Sequence, residues 1–219
     1  MPPTSPHRWD GRLTTHARNV AVFVAVATSL VGLLVVVIAF DRGESLTDGA
    51  SGPLLDAWVL AVTVAIAAGL AVVAWRARSL GLLVFAAVFV LVAVQDIVAW
   101  HGEAAAEVVT RLDLSALNSI VDVGERVWAE FLVLLVIAVV GAGLILLAGR
   151  HRVPTRPVLV LASLLGLLFV FAAVADLAVA AYPDAGLGWV EEIGELLVLS
   201  LTLGYVAGLV ALDPDWYTD

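Results

Sequence analysis

Two aspartates stand where a chain of this composition has least room for them. Asp96 interrupts the apolar run "VAVQDIVAW", and Asp176 interrupts "AAVADLAVA". A carboxylate among Ala, Val and Leu offers oxygen donors with no sulfur beside them. Such donors suit a proton or the hard cations Na, Ca, Mg and Mn rather than zinc or copper. Desolvation and neighbouring acids both favour the protonated form of such a carboxyl group. Glu130, Glu192 and Glu195 lie at similar depth in adjacent apolar runs, and His101 follows Asp96 closely in "WHGE". These six residues form a candidate proton or cation site. For His101 the competing reading is an interfacial Trp–His anchor among lipid headgroups.

Other chemistries are excluded by what the chain lacks. It has no cysteine, so disulfides, thiolate metal sites and cysteine nucleophiles drop out. It has no lysine, which removes Schiff-base cofactors. No G-x-S-x-G, H-E-x-x-H, P-loop or dinucleotide fingerprint is present. "EEIGE" at Glu191–Glu195 places two acids four apart on one helix face, without the companion histidines a metallohydrolase needs. No catalytic residue and no organic cofactor is therefore assigned.

The elements that must hold these residues are membrane helices. Hydrophobic residues make up 62% of the chain and charged ones 14%, against about half and a quarter in soluble domains. Apolar runs of membrane-spanning length fall at about 20–40, 57–75, 80–100, 127–148, 157–181 and 192–212. The expected fold is an all-α integral membrane protein with six transmembrane helices. A single membrane domain covers residues 20–212, between tails at 1–19 and 213–219. The first run is too long for a signal-peptide core and ends without a small-residue cleavage site, so it is expected to be retained. The loop after the third run carries Val109, Leu112, Ala116, Ile120 and Val123 at helical spacing. It reads as an amphipathic helix on the outer surface, an anchor or a lid, or as the fourth span extended outward. Asp122, Arg126 and Glu130 recur at every fourth residue there and are spaced to pair.

An internal repeat is expected. "DAWVLAVTVAIAAGLAVVAWR", "EFLVLLVIAVVGAGLILLAGR" and "ELLVLSLTLGYVAGLVAL" each open with a carboxylate and carry A-G-L at one offset, ending at Leu70, Leu144 and Leu209. Asp96 and Asp176 also align. The chain then reads as three parallel-oriented helical hairpins, at about 20–75, 80–148 and 157–212, the second and third most alike. Small residues at helical spacing let backbones approach in lipid, and Gly204 and Gly208 form a G-x-x-x-G. Packing within the bundle is its commoner use; a homo-oligomer seam is the other.

Arginine placement gives the orientation. Eight arginines flank one side of the spans, while Arg42, Arg111 and Arg126 flank the other. The positive-inside rule puts both termini in the cytoplasm of a multi-pass protein of the cell (plasma) membrane. Most of the twenty acids then lie at the outer face of a chain with net charge −9. That surface would gather cations and repel anions, so no nucleic-acid partner is expected. The same composition suits a hydrated surface in a salt-adapted organism.

Asp56, Glu130, Glu191, Glu192 and Glu195 all begin inward-running spans, where the helix dipole favours an anion. Asp96 and Asp176 differ. They fall in the last turns of outward-running spans, roughly 6–8 Å inside the apolar boundary. Dipole and lipid both disfavour them there, so they need a partner (Arg126 or His101), a bound cation or a proton. Three functions fit. The first is a proton- or cation-coupled transporter, channel or sensor. The second is a non-catalytic scaffold or accessory subunit. The third is a metal-dependent membrane enzyme acting on lipid through Asp96, His101 and Glu130.

Overall fold

The computed structural model describes residues 12–41, 53–98, 100–148, 155–182 and 187–213. Most of both tails and the arginine-bearing stretch 149–154 lie outside the described residues. The described chain is all-helical, with no strand. The helices are α1 (Thr15–Asp41), α2 (Pro53–Ala77), α3 (Leu80–Val98), α4 (Trp100–Arg111), α5 (Ser115–Asn118), α6 (Glu125–Ala148), α7 (Thr155–Phe169), α8 (Asp176–Ala181) and α9 (Leu187–Val210). A π-helical segment, Val170–Ala175, joins α7 to α8. In lipid every backbone N–H and C=O must be satisfied within the chain, and a helix does this along its own length.

Among the described residues, five helices are long and apolar enough to cross a membrane. They run over Thr15–Ala39, Leu54–Ala77, Glu125–Ile145, Arg156–Ala181 and Leu187–Val210. Their outward surfaces are apolar too. On α1, Phe23, Val26, Leu30, Leu34 and Val37 form one exposed stripe. Such a surface is costly in water and ordinary in lipid. The protein is a polytopic membrane protein.

α9 lies at the centre. Of its most apolar stretch 56% is buried, against 17% for α1, α6 and the α7–α8 span. α1 covers α9 most extensively, and α2 and the π segment cover other faces. The α1–α9 seam is built from small residues. A Cβ added to Gly204 would lie 2.5 Å from the Ala21 carbonyl oxygen, and one added to Gly208 would lie 2.9 Å from that of Ala17. Gly32 of α1 meets the Leu196 side chain at the other end of the seam. The stripe Ala17–Ala21–Ala25 therefore faces Gly204 and Gly208, and the two helices run antiparallel. Gly204 and Gly208 therefore serve packing within the bundle, the commoner use of such a pair, and both are buried against α1 of the same chain.

The loop after α3 also differs from expectation. It is not one amphipathic helix. α4 and the short α5 fold onto the start of α6, where Ala105, Leu114 and Ala129 form a small buried cluster with Val108, Val109, Leu117 and Trp128. Gly124, at φ +88°, turns the chain before α6. The Asn118 side chain secures that turn: its Oδ1 accepts from the Gly124 N–H at 2.7 Å, and its Nδ2 donates to Asp122 at 3.0 Å. Asp122 is thereby taken out of the expected three-member ladder. Only Arg126 and Glu130 pair, at 3.1 Å.

The tightest neighbouring pairs, α1–α9 and α2–α3, cross the boundaries of the three expected hairpins. The aligned A-G-L glycines also do different things. Gly69 packs against Val206 and Gly208 against α1, whereas a Cβ on Gly143 would meet nothing within 4 Å.

Candidate functional site

The helix directions sort the charges into two ends. Leu55, Val36 and Leu196 cluster where α1 finishes and α2 and α9 begin. At the opposite end Arg76 Nη1 donates to the Val210 carbonyl at 2.9 Å. There the guanidinium satisfies a carbonyl that the last turn of α9 leaves without an intrahelical partner. This end of the bundle carries the first turn of α1 with Arg18 and the last turn of α2 with Arg76. The other end carries the acids that open α2, α6 and α9.

At the acidic end the sequence-derived site residues fall as follows. Asp96 lies in the last turn of α3, His101 in the first turn of α4, and Asp176 is the first residue of α8. The side chains of these three lie outside the described residues. Glu130 sits in the second turn of α6, 23% exposed, and accepts the Arg126 bond. Glu192 and Glu195 occupy the first turns of α9. Both are half-buried and neither stands without a partner. The elements bearing Glu130, Asp176, Glu192 and Glu195 do meet, because α6 touches α8 and the π segment, and both of these touch α9. α3 reaches this group through α6, and α4 lies on α6. Among the described residues no three acids or histidines come close enough to hold a metal ion.

The feature that sequence reasoning missed is the π segment. It ends at the residue before Asp176. A π turn adds a residue to the helical repeat and recurs at functional positions inside helices. Its Phe171 ring lies against Gly194 of α9, where any larger residue would collide with it. Just before the segment, Phe169 meets Phe131 of α6 at 6.4 Å, and Phe131 meets Trp128 edge-on at 6.0 Å. An aromatic row thus runs from the start of α6 to the start of the interruption. Asp96 has no counterpart to this, since α3 is unbroken around it. No period in "LLFVFAAVAD" announces a π turn. The nearest sequence signal is Gly194, two turns into α9 and placed to receive a ring.

Ser200 was missed as well. It is fully buried, and its Oγ has no hydrogen-bond partner among the described residues. Thr63 and Thr202, also buried, each donate to a carbonyl one turn back, at 2.8 and 2.7 Å. Ser200 falls on the α1-facing stripe Leu196–Ser200–Gly204–Gly208, a spacing visible in the sequence.

The other polar side chains of the acidic end are held locally. Glu107 pairs with Arg111, and Asp113 Oδ1 accepts the Ser115 N–H at 3.0 Å. The Ser115 side chain and that backbone bond hold the Asp113 carboxyl below its ordinary pKa.

Comparison of the chain with protein-family models, curated proteins and solved structures returned no match.

Proposed function

We propose that this is a six-span protein of the cell membrane, with both termini cytoplasmic, whose acidic outer end binds a proton or a small cation. In this reading α3 is the sixth span. Its helix is nineteen residues long and runs beside α2 and α6. The protein acts as a proton- or cation-coupled transporter, channel or sensor. Asp176 is the central ligand, Glu130, Glu192 and Glu195 are its neighbours, and Asp96 and His101 complete the outer layer. The hairpin repeat enters here only as the pairing of Asp96 with Asp176.

The observation that carries the reading is the placement of Asp176. It follows directly on a π turn, in the one described span so interrupted, and that turn packs on the helix bearing Glu192 and Glu195. An acid within an apolar membrane span is costly unless something neutralises it. A scaffold without ligands is the second reading. It is favoured by the local pairing of the described acids, such as Glu130 with Arg126 and Glu107 with Arg111.

The test is a melting series of purified protein in neutral detergent across pH and added Na⁺, Ca²⁺ and Mn²⁺. A ligand that binds the folded state raises the melting temperature by mass action. Wild type should respond to acid or to one of the ions. Asp176→Asn should melt near the unliganded wild type and respond to neither, because the amide mimics the protonated acid. Identical responses of wild type, Asp96→Asn and Asp176→Asn would give the scaffold reading the field.

A further inference from the structure

The arginine end holds a cavity of about 560 Å³ at the turn between α2 and α3. Its walls are Ala71, Ala74, Leu80 and Leu83, with Trp75 and Arg78 at its edge. Leu80, Leu83 and Trp75 are also among the exposed large apolar residues, Trp75 at 87%. The slot therefore opens on the lipid-facing surface. A tryptophan this exposed at a helix end is placed as interfacial tryptophans are.

The turn itself is unusual in one residue. α2 closes with both bonds of a Schellman motif: Ser79 N–H to the Ala74 carbonyl at 3.0 Å, and Arg78 N–H to that of Trp75 at 3.3 Å. The residue between the helices must then be left-handed, and glycine ordinarily holds that place. Here it is Arg78, at φ +46°. Ser79 caps α3, its Oγ accepting the Leu82 N–H at 3.2 Å. Arg76 is taken by Val210. Arg78 alone presents a guanidinium at the mouth, and among the described residues it makes no side-chain hydrogen bond or ion pair. A strained backbone residue whose side chain is unpaired beside an apolar slot calls for a reason outside the fold.

We propose that this slot binds an anionic phospholipid, with its phosphate on Arg78 and an acyl chain along Ala71, Ala74 and Leu83. A guanidinium binds phosphate with two parallel N–H donors. Basic residues at helix ends on the arginine-rich side favour anionic headgroups. Arg76, on the same last turn of α2, adds positive charge that disfavours the cationic half of a zwitterionic headgroup. The inference rests on membrane embedding alone and is independent of the acidic-end site.

The experiment measures melting of the full chain in neutral detergent with added phosphatidylglycerol, phosphatidylcholine or inorganic phosphate. Phosphatidylglycerol should raise the wild-type melting temperature well above the phosphatidylcholine value, and inorganic phosphate should do nothing. Arg78→Gly should melt about 2–4 °C higher than wild type without lipid, because the left-handed strain is relieved. It should also lose the phosphatidylglycerol increment. Arg78→Lys should keep part of that increment, and Asp176→Asn all of it. An Arg78→Gly protein with the full increment, or a wild type that responds equally to both lipids or to free phosphate, overturns the proposal.

Discussion

α9 and α6 are both apolar spans that start at the acidic end and carry A-G-L at the same offset, yet they are packed in opposite ways. α9 is enclosed, and its glycines at 194, 204 and 208 each receive a neighbour at closer than ordinary contact. α6 is mostly half-buried, with 17% of its most apolar stretch buried, and Gly143 faces open space. The difference teaches that a small-residue motif marks a seam only where a second helix brings a matching surface. α1 supplies Ala17, Ala21 and Ala25 to α9, while no described helix supplies a counterpart to Gly143. The molecule thus has a tightly packed half, α1 with α2 and α9, and a looser half, α6 with the interrupted α7–α8 span. The helices that bear Glu130, Asp176, Glu192 and Glu195 come together where the two halves meet.

The contrast breaks most visibly at Gly204. Gly204→Val would drive a branched side chain into the α1 backbone, which cannot step aside as a side-chain tip would. It should cost about 3 kcal/mol or more, read as a fall of roughly 6–12 °C in melting temperature for a chain of this size. A fall under about 2 °C would mean that the α1–α9 seam is not as described. Gly143→Ala should act with the opposite sign. With nothing to collide with, the methyl group only removes glycine's helix penalty. A gain of about 0.5–1 kcal/mol is expected by chemical denaturation. A loss there would reveal a packing partner for α6.

The smallest effect belongs to the α4–α5 surface. Because the folded Asp113 carboxyl titrates below its ordinary value of 3.8, its contribution is present above that pH. It is lost as pH falls through the lower folded value. Exchange protection of the Ser115 amide, corrected for the intrinsic rate, should drop in acid for wild type. Asp113→Asn should flatten that dependence, and an unchanged profile would remove Asp113 as the group that holds the Ser115 amide.

Much of this architecture was legible in the sequence, because lipid makes helix length and hydropathy nearly sufficient. α3 begins where its apolar run begins, and α9 ends close to where its run ends. The intramolecular use of Gly204 and Gly208 was the commoner reading of their spacing, and the alanine stripe of α1 has the same four-residue spacing. The break in the segment after α3 could not be read from periodicity. Gly124 and Asn118 decide it, through one left-handed glycine and two side-chain bonds that override a regular apolar pattern. The π segment was illegible for a different reason. It is accompanied by tertiary contacts, Phe171 on Gly194 and Phe169 on Phe131, and leaves no period in its own residues. Asp96 and Asp176 therefore look equivalent in sequence and occupy different backbones.

The central claim is that the acidic end responds to a ligand on a frame that does not. Hydrogen exchange of the full chain in neutral detergent at constant pH tests it directly, with and without each cation and with Asp176→Asn as the mimic of the protonated acid. The account predicts changed protection in peptides covering 170–182 and 187–195, and unchanged protection over 15–39 and 200–210. A response spread evenly over all helices, or none to any ion or to the substitution, would contradict it.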